Sequence, residues 1–164
     1  MAKLNVTQNL NHIVIAAKRG KSPVLNLQVL KVTVLGEHTS DGLYSKWEGD
    51  AFELAKVQVR GSTFSEPRPF MNELRLEMKG NKQVVMIIRK NMRYDRKQKG
   101  YIVNWDTMSL ELETWCQGKM TDIFSRMPPI KDSTKQKKAR AGYDVSKTLY
   151  AQGELAKCIA VEVE

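Results

Sequence analysis

"ELRLEMKG", Glu73 to Gly80, alternates without a slip: Leu74, Leu76 and Met78 fall on one side, and Glu73, Arg75, Glu77 and Lys79 on the other. A period of two is the signature of a strand with one face buried and the other solvated. Outward from this stretch the same period recurs. "TMSLELETW", Thr107 to Trp115, sets Met108, Leu110 and Leu112 against Glu111 and Glu113, and "FELAKVQVRG", Phe52 to Gly61, turns Val57 and Val59 inward. "VLNLQVLKVTVLG", Val24 to Gly36, first aligns Leu25, Leu27 and Val29, then Leu30, Val32 and Val34. The slip at Val29 and Leu30 is what a β-bulge or a bent barrel strand produces.

The remaining segments fit the same plan. "NHIVIAA", Asn11 to Ala17, reads as a short buried strand closed by the turn-like "KRGKSP", and "STFSEPRPFMN", with Pro67 and Pro69, as an extended connector. "NKQVVMIIRKNMRY", Asn81 to Tyr94, reads as a long apolar strand turning basic, joined through "DRKQKG" to "YIVNWD" as a β-hairpin. The expected fold is mainly β, a small antiparallel barrel or sandwich with an OB-like barrel favoured, carrying one or two short helices. Its first domain spans residues 1–127. Residues 128–164 form a basic flexible linker or arm with a short C-terminal helix, in which Val145, Leu149 and Ala156 come into phase, and an acidic end, "VEVE".

At 164 residues, 41% hydrophobic and 27% charged, the chain has the composition of one folded domain with appendages. Its net charge of +9 is localised. From Arg89 to Lys99 six basic side chains (Arg89, Lys90, Arg93, Arg96, Lys97, Lys99) face one acid, Asp95; from Lys131 to Arg140 five (Lys131, Lys135, Lys137, Lys138, Arg140) face Asp132. These two windows hold the whole excess on an otherwise neutral body. Concentrated cations of this kind fit a polyanionic partner, nucleic acid before anionic lipid.

Tyr94 and Tyr101 flank the hairpin turn, and Trp105 follows Tyr101 and Val103 along one strand face. Aromatic rings stack on unpaired bases while Arg and Lys neutralise phosphates, a pairing that suits single strands better than duplex. The expected contact residues are Arg89, Lys90, Arg93, Tyr94, Arg96, Lys97, Lys99, Tyr101 and Trp105. Lys135, Lys137, Lys138 and Arg140 would follow phosphates from the arm. In architecture the arrangement resembles the small OB-fold and barrel proteins with which phages and plasmids coat single strands. That resemblance covers residues 1–115 and implies sequence-independent binding of single-stranded DNA in replication, recombination or packaging.

Competing classes remain. A viral or phage structural subunit, capsid or tail, with a genome-facing arm would be equally β-rich, and would assemble without nucleic acid. Glu77 and Lys79 form the E-x-K pair of metal-dependent nucleases, with Asp50 or Glu66 as the upstream acid. That pair also arises by accident on any polar strand face, so no enzyme is expected. Cys116 and Cys158 lack CxxC spacing, and His12 and His38 lack partners at ligand-like intervals, so neither a disulfide framework, a metal nor another cofactor is expected. The expected setting is the cytoplasm, or the host-cell interior if viral, with no membrane segment. A homo-oligomer is expected, and the acidic end is a candidate contact for a protein partner.

Overall fold

The computed structural model describes residues 3–9, 12–18, 23–38, 49–61, 66–142, 145 and 154–164. Leu149 and the "STFS" half of the proline connector lie outside them. Among the described residues the fold is mixed α and β, not the mainly β barrel or sandwich expected, and no barrel closes. Strands β1 (Lys3–Asn9), β2 (His12–Lys18) and β3 (Val29–Val34) form an antiparallel meander, and the last strand, β8 (Ile159–Val163), pairs with β3, giving the order β1-β2-β3-β8. Two short ribbons accompany this sheet: β4 (Glu37–His38) with β5 (Gly49–Asp50), and β6 (Met92–Asp95) with β7 (Gly100–Val103).

Six helices are described: α1 (Ala51–Arg60), α2 (Phe70–Met78), α3 (Lys82–Lys90), α4 (Trp105–Arg126), α5 (Asp132–Arg140) and α6 (Glu154–Lys157). Three of them occupy segments whose alternation pointed to strands. In α2 the buried side chains are Phe70, Met71, Leu74 and Met78, while Leu76, midway along the apparent strand face, is 49% exposed. In α4 the buried series Trp105, Met108, Leu112, Cys116, Met120 and Ile123 advances by three or four, leaving Leu110 at 65% exposure. In α1 it is Ala51, Ala55 and Gln58, with Val57 outside. A helix brings i and i+4 to one face and turns i+2 away. Apolar residues at i, i+2 and i+4 therefore satisfy both periods over five positions, and only the longer window separates them.

Local capping agrees with the helices. Asp50 Oδ1 accepts from Phe52 N at 2.8 Å and Asn81 Oδ1 from Gln83 N at 2.9 Å, each meeting a donor that a helix start leaves unpaired. Asn104 does the same for Thr107 N at 3.2 Å. The run "KQVVMIIRK" is thus a capped helix rather than a strand.

The core lies between the sheet and α4, which packs on β8 and β3, with α2 over β1 and β2. Leu30, Val32 and Val34 of β3 and Ile159 and Val161 of β8 meet Leu112, Cys116 and Phe124 in one cluster, where Phe70 and Phe124 pack edge to face at 5.6 Å. The slip at Val29 and Leu30 marks where the chain enters the sheet: Leu25 and Leu27 precede β3 and are exposed. The first three residues of "VEVE" belong to β8, and Glu164, just past it, pairs with Lys31 at 3.1 Å, so residues beyond 127 complete the sheet of the first strands. The basic segment after Pro129 is the helix α5, not a flexible arm. Among the described residues no helix is long and apolar enough to cross a membrane.

Candidate nucleic-acid interface

The hairpin at Met92–Val103 turns where the sequence places its turn, but its strands are short: residues 82–90 of the expected long strand form α3, and β7 ends at Val103. Tyr94 pairs directly with Tyr101, Met92 with Val103, and Arg93 with Ile102. Since alternate residues share a face, Met92 and Val103 begin, at the core end, the same face that Tyr94 and Tyr101 continue toward the tip. The two tyrosine rings meet edge to face, centroids 5.1 Å apart and planes at 66°. Tyr94 is 45% exposed and Tyr101 is half-buried. Arg93 lies on the opposite face.

The tip is built to hold cations. Asp95 Oδ1 accepts from Lys97 N at 2.8 Å and Gln98 N at 3.0 Å, so the window's one acid fixes the turn through backbone amides. Arg96, Lys97 and Lys99 are all exposed. Lys99 has φ 53°, the left-handed region that glycine enters without penalty and a side chain enters at roughly 1–2 kcal/mol.

A segment whose alternation pointed to the start of a strand, and not to this site, anchors the ribbon. Pro23 to Leu27 lies along β7: Leu25 N donates to Tyr101 O and Tyr101 N to Pro23 O, both at 2.8 Å. Asn26 clamps the far end, its Nδ2 donating to Val103 O at 2.6 Å and its Oδ1 accepting from Val103 N at 2.9 Å. Gly100 permits the approach, because a Cβ there would stand 2.6 Å from Leu25. The signal was present in "PVLNLQ" as a turn residue between exposed leucines, but its partner lies 77 residues away.

The remaining expected contacts divide. Arg89 and Lys90 are on the last turn of α3 and exposed, not on a strand. Lys90 is bound to Glu111, whose carboxyl the Lys90 ammonium and then Asn91 hold below the usual carboxylate range. By contrast Arg89, Arg93, Arg96, Lys97 and Lys99 have no ion-pair partner among the described residues. Trp105 is not on the ribbon. The strand ends at Val103, and Trp105 opens α4, 3% exposed, with Nε1 donating to Asn26 O at 2.6 Å. Its ring is core and offers no face to a base.

The second window lies on its own helix, α5. On α5, Lys135 pairs with Asp132 at 3.0 Å, Lys138 is 4% exposed, and Lys137 and Arg140 face solvent. The E-x-K residues end α2, where Glu77 accepts from Arg126 at 2.8 Å, and Asp50 caps α1. Among the described residues no three His, Cys, Asp or Glu side chains converge as a metal site. Compared with known proteins, the chain matches no family, no curated relative and no solved structure.

Proposed function

We propose that the β6–β7 hairpin binds single-stranded nucleic acid, largely without sequence preference and with DNA favoured, in replication, recombination or packaging. The observation that carries the reading is the juxtaposition, on one anchored ribbon, of a tyrosine pair, Tyr94 exposed and Tyr101 half-buried, with Arg93, Arg96, Lys97 and Lys99, none of them neutralised by an acid among the described residues. Unpaired surface cations gain most when they meet phosphates, because each contact releases a condensed counterion. Lys99 adds weight: a charged residue is kept at a turn position that favours glycine, and strain of this kind collects at functional sites. Arg89 extends the cationic surface onto α3, and Lys137 and Arg140 are a secondary phosphate contact.

Because the rings meet edge to face, the pair offers one flat stacking surface rather than two. Replacing both tyrosines by alanine should therefore cost about one base stack, roughly 1–3 kcal/mol, and not twice that. Fluorescence anisotropy with labelled single-stranded and duplex oligonucleotides of equal length tests the whole reading. Preference for the single strand, reduced by Tyr94→Ala with Tyr101→Ala, is the expected result. Equal affinity for duplex, or no loss from the tyrosine changes, would remove the stacking role and leave a charge-only binder; no binding at all would end the proposal.

A further inference from the structure

Among the described residues nothing pairs with the outer edge of β1, and the hydrogen-bond phase of the sheet identifies the backbone groups left over. Val29 and Glu164 exchange both backbone bonds, at 2.9 and 2.8 Å. In an antiparallel ladder such exchanges fall on every second residue, so β3 bonds to β8 through its odd-numbered residues and to β2 through Leu30 and Val32. The pairs Leu30↔Ile15 and Val32↔Ile13 then commit the odd residues of β2 to β3 and its even residues to β1. Through Val14↔Thr7 and Ala16↔Asn5, the odd residues of β1 are satisfied by β2. The N–H and C=O groups of Leu4, Val6 and Gln8 point outward.

Sheets ordinarily protect such an edge with proline, a bulge, an inward charge or a very short strand. β1 is seven residues long, "KLNVTQN", with no Pro, no Gly and one ionisable residue, Lys3, at its end. We propose that β1 pairs antiparallel with β1 of a second copy of this chain, about a two-fold axis at Val6. In that register Leu4 faces the partner's Gln8, and Val6 faces the partner's Val6. Each of the three pairs exchanges two bonds, so all the outward groups of both strands are satisfied at once.

The side-chain chemistry fits the same axis. Lys3 falls opposite the partner's Asn9, so no like charges meet, and Asn5 falls opposite the partner's Thr7. The register runs from Val6 through Ile15 to Leu30, and Leu30 with Val32 marks the sheet face that carries the core. A two-fold perpendicular to the sheet keeps this face continuous, giving eight strands with both helical layers on one side. The interface is isologous, as a closed dimer requires.

Sedimentation of the full chain across a broad range of concentrations, without nucleic acid, is the test. A reversible dimer is expected. Val6→Pro should be monomeric with its circular dichroism unchanged, because the lost N–H serves no bond within the chain. Thr7→Pro, which loses a bond to β2, should lower the melting temperature instead. Hydrogen exchange on the unsubstituted chain gives an independent reading: the Val6 and Gln8 amides should be protected in the dimer and lose that protection on dilution. A monomer at every concentration, a Val6→Pro chain that dimerises as tightly, or a dimer with an unprotected Val6 amide would each overturn the proposal.

Discussion

Leu110 and Leu112 stand two residues apart in "SLELE", and truncating each to alanine separates a helix from a strand. In α4 Leu112 is 0% exposed, packed in the cluster with Met108 and Cys116, whereas Leu110 faces solvent. Leu112→Ala removes buried methyl groups and leaves a cavity that rigid neighbours fill only in part, a cost of about 2–5 kcal/mol. Leu110→Ala removes side-chain area already in water and installs a better helix former, so its effect should stay within about 0.5 kcal/mol. Against a total stability of about 5–15 kcal/mol the difference is large. Urea unfolding followed by tryptophan fluorescence and by far-ultraviolet circular dichroism measures both, with an unchanged m value as the check that the denatured state is the same. Equal losses at the two positions would mean that they share a face, as i and i+2 do in a strand, and would refute the helical account of this segment.

Other expectations follow from the same side chains. Changing Arg93, Arg96, Lys97 and Lys99 to glutamine should flatten the salt dependence of single-strand affinity by up to about 0.7 per lost phosphate contact, whereas Lys90→Gln, which breaks a pair with Glu111, should leave the slope nearly unchanged; equal slopes for all variants would show that the hairpin meets no phosphate. Lys99→Gly should raise the melting temperature by relieving the left-handed φ while weakening binding, and a loss of both would mean that the strain is not real. Burial, with Glu113 second, pushes the Cys116 thiol up to about 12, so a thiol reagent at pH 8 should modify Cys158 well before Cys116, which reacts on unfolding. Lys90 and Asn91 depress the folded-state pKa of Glu111, so the stability this gives is present above its unfolded pKa and lost as pH falls through the folded one. Glu111→Gln should accordingly flatten the acid limb of a plot of melting temperature against pH.

What the sequence disclosed depended on how far each signal reached. The β2 segment, the Leu30, Val32 and Val34 face of β3, and the place of the hairpin turn were legible because a period of two or a turn motif defines them within ten residues. Leu74, Leu76 and Met78 misled because five residues cannot distinguish the two periods. The distinguishing evidence lay in continuation: Met108, Leu112, Cys116, Met120 and Ile123 keep helical spacing along a 22-residue helix, far longer than a strand of this size, and the local alternation of Met108, Leu110 and Leu112 concealed it. In the candidate site, the cations and the tyrosine pair were visible as composition. Trp105 was misplaced because the strand stops two residues earlier, and Asn26 was missed because its contacts are distant along the chain.

The pairing of β8 with β3 also bears on how the molecule reaches its fold. Lys31 and Glu164, joined across this ladder, are 133 residues apart in sequence. Closing a loop costs chain entropy that increases with the logarithm of its length, and contacts of large sequence separation slow folding. The β6–β7 turn needs only neighbouring residues, and the packing of α2 and α3 on α4 closes much shorter loops, so these can form first. During synthesis β3 must therefore wait with an open edge until Ile159–Val163 emerges, and that interval is when a chaperone or an unwanted strand would find it.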